Sequence, residues 1–569
     1  MNGKNIKPPI DPVYSGSCFL IAFGIINIFA LTLILSSLSF FFSSRLTMFH
    51  LPVAIAISLF VNWLVAKNWL PDDAWTVFTR TNIAIVMILV ISILLVRPFY
   101  DISFDGQWYH QEAVYQMARG WNPFKGDYPD NTIRNGSFWF NHYAKGIEIF
   151  QAGIYMLTGK IESAKATGLI LATGSFFLCV YFLDLLQKFS RIRAIWISLL
   201  LAFSPLVVVQ FLTFCNDGEM SSILLYAIIT ACLIILEYRK FLLILLFSVI
   251  ICALNIKFTA ILYIGFFMAA LLIVLFIQKR GCMRPVLFGV VLSAILGICF
   301  IGFNPYVTNY LHAGHPLYPL MGENKVDIMT AEYPVSWRPM NRFQKLFLSV
   351  FTHTDDLNLS ADPDPEIPLK IPFTFTKTDI HNSVNPQVTM AGFGALFSGI
   401  LLLSLILLVF IIAKPFPTGK RFLLGVLLIT LSGSILIMEE AWSARYVPQF
   451  WFIPLIIALG SEYSSVRGLR YLRSFIYFAV TINVCFSGLS IGWNYVQTKH
   501  LNEQLRELKE NGQVIPVDFN YYRSNRIRFE EKKIPFTEIK MNGRPDSSQS
   551  VSFNHSFAKY LLPPAKNAE

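Results

Sequence analysis

Apolar runs long enough to cross a bilayer recur along the chain, and they leave few folds open. About thirteen are legible, near 17–42, 48–66, 81–98, 164–186, 194–213, 221–238, 241–256, 258–278, 285–303, 390–413, 422–438, 448–462 and 474–493. Around 20 apolar residues in succession make a spanning helix, because lipid offers no partner for an unpaired backbone group. The expected fold class is therefore an all-α polytopic membrane protein. Composition agrees: 54% of residues are hydrophobic and only 14% charged, with mean hydropathy +0.54. The first run is too long for a signal-peptide core and lacks a small-residue cleavage site, so it is read as a retained helix.

The net charge of +11 collects in alternate short loops. One set of loops carries about eighteen Lys and Arg, among them Lys188, Arg193, Lys279, Lys420 and Arg473. The opposite short loops hold Arg45, Lys257 and Arg445. This bias places the N-terminus in the cytoplasm. Three long polar segments, 99–163, 304–389 and 494–569, then face outward. The inner loops are too short for a catalytic domain, and no GxxxxGK[ST] motif is present. The eight cysteines form no CxxC pair and suit a membrane core. The basic motifs with interleaved aromatics that mark nucleic-acid binders are missing. The chain divides into an N-terminal pair of spans (1–80), a membrane core (81–493) and an outer C-terminal part (494–569).

The first outer segment opens with SFDGQWYHQEAVYQMARGWNPF at 103–124. Its stretch 107–118 has an apolar side of Trp108, Ala113, Val114 and Met117 and a polar side of Gln111, Glu112 and Gln116. That pattern predicts an interfacial helix with Glu112 solvated, closed by Gly120. Asp105 stands where it could cap this helix or act as a base. A second helix is predicted over 141–157, ended by Gly159.

Asp105, Tyr109, Gly120 and Pro123 in this spacing resemble the first outer loop of GT-C glycosyltransferases. The closest resemblance is to protein O-mannosyltransferases and bacterial aminoarabinose transferases. FNHYAKGIEIFQAGIYMLTG (140–159) is similar to the family's second loop helix. NIKFTAI (255–261) resembles its outward lysine at a helix junction. NYLHAGHPLYP (309–319), with His312 and His315, is similar to a Gly-x-Pro-x-x-Pro element of related bacterial transferases. ARYVP (444–448) resembles the start of a late span. Two positions depart from the pattern. Gly106 follows Asp105 where relatives often have an acidic pair, and Asn141-His142-Tyr143 replaces Glu-Lys-Pro.

The resemblance implies an inverting transfer of a sugar from a polyprenyl-phosphate carrier to a lipid, glycan or protein acceptor. The setting would be the outer face of a bacterial inner membrane. Such a reaction needs a base for the acceptor and cations for the departing phosphate. Asp105 is the expected base, with Asp101 the nearby competitor and Tyr109 beside the substrate. Lys257, Arg445, His142 and Lys145 are expected to bind the donor's phosphate, although a lone cation at a span end also snorkels to headgroups. Asn216-Asp217-Gly218-Glu219 is either turn chemistry or a sugar or acceptor contact. Glu439 and Glu440 either hold Arg445 or touch a sugar. No metal or other cofactor is expected; the acidic run 353–366 lacks the Gly and spacing of a calcium loop.

Leu501–Lys509 is expected to be helical and Gln513–Phe519 a strand with Pro516 at a sheet edge, giving a small α/β unit. Arg523, Arg526 and Arg528 are expected on a solvated face. The competing functions are a flippase or transporter of lipid-linked oligosaccharide and an O-antigen polymerase or ligase. The transporter predicts inverted repeats and ionisable groups at mid-span, which the sequence does not display.

Overall fold

A computed structural model describes residues 11–128, 136–327, 332–354, 364, 366–387, 390–414, 416–464, 466–541 and 550–561. Most of the acidic run, 355–363 and 365, lies outside the described residues.

Helix α1 (Pro12–Phe41) starts where Asp11 accepts from the Tyr14 N–H with Pro12 in the first turn, an arrangement that satisfies an orphan donor and loses none. Helices α2 (His50–Trp69) and α3 (Ala74–Val96) follow. The first outer segment holds α4 (Gln111–Ala118), α5 (Gly136–His142) and α6 (Gly146–Thr158). The bundle continues with α7 (Ala166–Leu185), α8 (Arg191–Ala202), α9 (Pro205–Gln210), α10 (Asp217–Leu236), α11 (Phe241–Leu254), α12 (Phe258–Ile277) and α13 (Met283–Ile295). The second long polar segment contributes α14 (Thr308–Ala313), α15 (Arg342–Phe351) and α16 (Lys377–Asn382). The chain then re-enters the bundle through α17 (Phe397–Ala413), α18 (Thr418–Leu436), α19 (Phe452–Ser461) and α20 (Arg467–Asn511), and α21 (Asn525–Lys532) lies in the C-terminal part.

Among the described residues nine helices are long and apolar enough to cross a membrane, and α11, α17 and α19 are shorter apolar helices. The run at 194–213 is broken into α8 and α9, since Pro205 cannot continue a helix but starts one, capped by Ser204.

The core centres on α1 and α10, whose apolar windows are 83% and 94% buried. Helix α1 packs against α2, its partner in the N-terminal pair, and also against α7 and α11 in the middle of the bundle. Close approach needs small residues and local polar partners. Ser58 donates to the Gly24 carbonyl at 2.9 Å, Tyr226 to the Ala22 carbonyl at 3.0 Å, and Ser248 to the Asn27 side chain at 2.6 Å.

The expected helix at 501–509 is the end of α20, a single helix of 45 residues. It stops at Gly512, whose φ of 69° is the left-handed region that favours Gly. Four strands follow: β1 (Ile515–Asp518), β2 (Phe536–Glu538), β3 (Ser550–Ser552) and β4 (Lys559–Leu561), in the order β2-β1-β4-β3. Pro516 was expected at an edge, yet β1 is central. The pairing with β4 reaches only Val517 and Asp518, so the missing Pro516 N–H costs no ladder bond on that side.

The solvated face expected of Arg526 and Arg528 is also corrected. Arg526 grips Glu112 with two bonds of 2.6 Å, and Glu112 is 0% exposed. Arg528 binds Glu162 at 3.0 Å and the Asp101 carbonyl at 2.7 Å. Helix α4 is thus not solvated on its polar side. That side faces α21, whose guanidinium groups replace water around it. Ser524 donates to the Gln107 carbonyl, and Asn525 to the Gln107 side chain at 3.2 Å. The C-terminal part is therefore bolted onto the loop that carries Asp105.

Candidate functional site

Residues 106–110 form a π-turn ahead of α4. The wider turn inserts an extra residue, a feature common at functional sites. Asp105 sits at its start with helical backbone angles, and its carboxylate caps nothing. Oδ2 instead accepts from Arg445 Nη2 at 2.5 Å. Of the two readings of Asp105, the side-chain N-cap is not formed, and the carboxylate makes this ion pair.

Gly106 is explained by Asp101. A Cβ at 106 would lie 1.8 Å from Asp101 Oδ2 and 2.5 Å from Ser103 Oγ. The Asp101 carboxylate is fully buried and accepts from the Ser103 N–H at 2.7 Å and the Phe214 N–H at 2.8 Å. Burial pushes its carboxyl above the ordinary range despite the pull of Lys165. Asp101 therefore shapes the backbone under Asp105, and it does not line the cavity described next. A Gly106→Ala substitution is expected to lower the melting temperature and displace Asp105; a melt unchanged from the parent's would contradict this packing.

Asp217, at the first position of α10, is the hub. It is 0% exposed. Its Oδ1 pairs with Lys257 Nζ, and its Oδ2 accepts from Arg445 Nε at 2.8 Å and from Gln210 Nε2 at 3.0 Å. The turn at 216–219 is therefore an ion-pair anchor for both cations. Burial opposes the charge on Arg445, but Asp217 and Asp105 outweigh it and raise its guanidinium further. Lys257 lies 4.6 Å from the Tyr446 ring centre, a cation–π contact.

Asp105 and the two cations, but not Asp217, border a cavity of about 140 Å³. Asp105, Lys257 and Arg445 line it together with Tyr109, His110, Tyr143, Glu148 and Trp442. Burial and then Asp105 raise the Tyr109 phenol above its ordinary value, which keeps it a hydrogen-bond donor. The sequence reading passed over His110 and Glu148. His110 Nδ1 lies 2.6 Å from Glu148 Oε1, and both residues are buried. A carboxylate that fixes one imidazole nitrogen orients the other for proton transfer. The available signal was Glu148 within the apolar run of α6, where a lone charge is expensive unless paired.

The other expected site residues are engaged by other partners or lie outside the cavity. Lys145 borders the cavity, but its ammonium donates to the Asn141 carbonyl at 3.0 Å, the Tyr143 carbonyl at 2.8 Å and the Asn304 side chain at 2.5 Å. All three protons are used, and the helix expected at 141–157 is broken around it into α5 and α6. Burial lowers the Lys145 amine to about 7 against the pull of Glu148. Unfolding restores the ordinary value, so the unfolded chain holds more protons between about pH 7 and 10.5. Stability is expected to rise with pH across that window in the parent and to lose this increment in Lys145→Met; parallel melting curves for the two proteins would refute it.

His142 pairs with Asn309 at 2.9 Å and meets the Tyr318 ring edge-on, outside the cavity. His312 is exposed, and His315 accepts from the Leu317 N–H at 3.1 Å in a turn. Glu219 is buried beside Gly168. Glu439 is exposed, while Glu440 accepts from the Trp442 indole at 2.6 Å. Neither holds Arg445, because Asp217 and Asp105 do so from nearer positions. Among the described residues no group of three His, Cys, Asp or Glu could hold a metal ion. The chain matches no family model, no curated protein and no solved structure, so the chemistry open to the site rests on this geometry.

Proposed function

We propose that the protein is a membrane glycosyltransferase of the GT-C type. It moves a sugar from a polyprenyl-phosphate carrier to an acceptor on the extracytoplasmic face of a bacterial inner membrane. The reading takes the thirteen crossings and cytoplasmic N-terminus expected from the sequence, under which the cavity and the C-terminal sheet belong to that face. One observation carries the reading: Asp105, Lys257 and Arg445, from three distant stretches of chain, line one cavity and are joined by ion pairs through the buried Asp217 and between Arg445 and Asp105.

The donor phosphate competes with Asp105 for Arg445. Its arrival draws the outer guanidinium nitrogen away and releases the carboxylate. Asp217 keeps Arg445 and Lys257 in place during that exchange. The acceptor oxygen or nitrogen then attacks the anomeric carbon from the side opposite the phosphate, and Asp105 takes its proton. The bond from the anomeric carbon to the phosphate oxygen breaks, and the electron pair leaves with the polyprenyl phosphate. Arg445 and Lys257 balance the extra negative charge. Such placed charges act most strongly in a site shielded from water. The leaving group needs no proton, so one carboxylate suffices.

The test is transfer of label from a panel of polyprenyl-phosphate sugars in membranes holding the full chain. The reading requires transfer from at least one donor and competition by unlabelled polyprenyl phosphate. No transfer from any donor, with no binding of polyprenyl phosphate, overturns it.

A further inference from the structure

A second cavity lies far from the first. It measures about 160 Å³ and is walled by α7, α8, α10, α18 and α19, with Phe182, Leu225, Cys232, Leu427 and Ile456 among its apolar lining. A smaller void of about 30 Å³ shares Ile228, Cys232, Leu423 and Leu427 with it and continues the gap along α18 towards α12. Cys232 is fifteen residues along α10 from Asp217, about 22 Å at helical rise. The crevice therefore sits near the opposite end of the bundle from Asp105.

Its mouth is charged. Lys420, on the first turn of α18, lines the crevice. Lys420 and Lys188 both lie over the ring of Tyr463, at 3.4 and 5.4 Å from its centre. Arg193 and Arg473 stand close by and share the carboxylate of Glu462. Four cations thus gather at Glu462 and Tyr463, and the one acid there is already claimed twice. Among the described residues neither lysine has a carboxylate within ion-pair distance. Two ammonium groups on one tyrosine repel each other unless an anion sits between them.

An apolar gap of this size repels water, and left empty it forfeits dispersion contacts along its walls. An acyl chain fits both requirements: it fills a narrow apolar slot at bilayer depth and carries its phosphate to the surface. Basic pockets between membrane helices commonly take anionic headgroups in this way. We propose that this crevice binds one anionic phospholipid from the leaflet at this end of the bundle, with its phosphate between Lys188 and Lys420 and one acyl chain between α10 and α18. The site is separate from the sugar-transfer reading and stands without it.

The full-length protein is reconstituted in equimolar phosphatidylglycerol and phosphatidylcholine, released into mild detergent and weighed intact by native mass spectrometry. The expected result is one retained phosphatidylglycerol per chain. Retention is expected to drop by roughly tenfold or more in Lys188→Ala/Lys420→Ala, two surface changes that leave the core alone. Phosphatidylglycerol with a photoreactive acyl tail is expected to label 225–236 or 423–431. Equal retention of the two lipids, no retained lipid, an unaltered double variant, or label confined to other helices overturns the proposal.

Discussion

Asp105→Asn is expected to cut sugar transfer by about 10²–10⁴-fold, the range for losing a positioned general base, while the protein still folds. Stability survives because Arg445 keeps Asp217 as its partner at 2.8 Å. The same geometry separates binding from chemistry. In the resting site Asp105 occupies the guanidinium nitrogen that a phosphate would use. Neutralising position 105 weakens that competitor, so polyprenyl phosphate is expected to bind as tightly as in the parent or tighter. The measurement is single-turnover transfer beside equilibrium binding of the unlabelled carrier. Full activity in the variant removes Asp105 as the base. Weaker carrier binding would show that Asp105 instead supports the cation cluster.

Arg526→Met is expected to destabilise the protein by about 3–5 kcal/mol, the usual result of stranding one member of a buried ion pair. Glu112 has no exposure, and both of its oxygens face Arg526 at 2.6 Å. Removing the guanidinium leaves a carboxylate with no water to receive it. The double variant Arg526→Met/Glu112→Gln is expected to recover much of the loss, because the uncompensated charge is then gone. Thermal unfolding in detergent and protease cleavage within 515–541 report the two effects. A single variant as stable as the parent would mean that the C-terminal part is not held by this pair.

The bundle was legible because membrane burial writes itself into long apolar runs. Lys257 and Arg445 stood out because outer short loops carry so few cations. Asp217 was visible only as one of two readings of a tight turn, since its role depends on two residues far away in sequence. Arg526 and Arg528 were misread for a related reason. A charged helix face looks the same in sequence whether water or a second charged element covers it. The partners of Lys145 were not legible, because two of them are backbone carbonyls that leave no trace in side-chain identity. His110 escaped notice because the π-turn shifts the spacing from which an α-helical face is counted, and Glu148 because its partner lies 38 residues away in sequence.

Helix α20 has a mechanical consequence. At 45 residues and about 1.5 Å per residue it extends for about 68 Å, more than twice the ~30 Å hydrocarbon thickness. Arg473 ties one end to Glu462, and the other end leads through Gly512 into the C-terminal strands. A rod of that length is a lever. A tilt of about 5° at the anchored end sweeps the far end through about 6 Å. The sheet rides on that end, and α21 joins it to the turn that bears Asp105. The turn that bears Asp105 is thereby mechanically joined to one long helix, the kind of element that answers bilayer thickness by tilting.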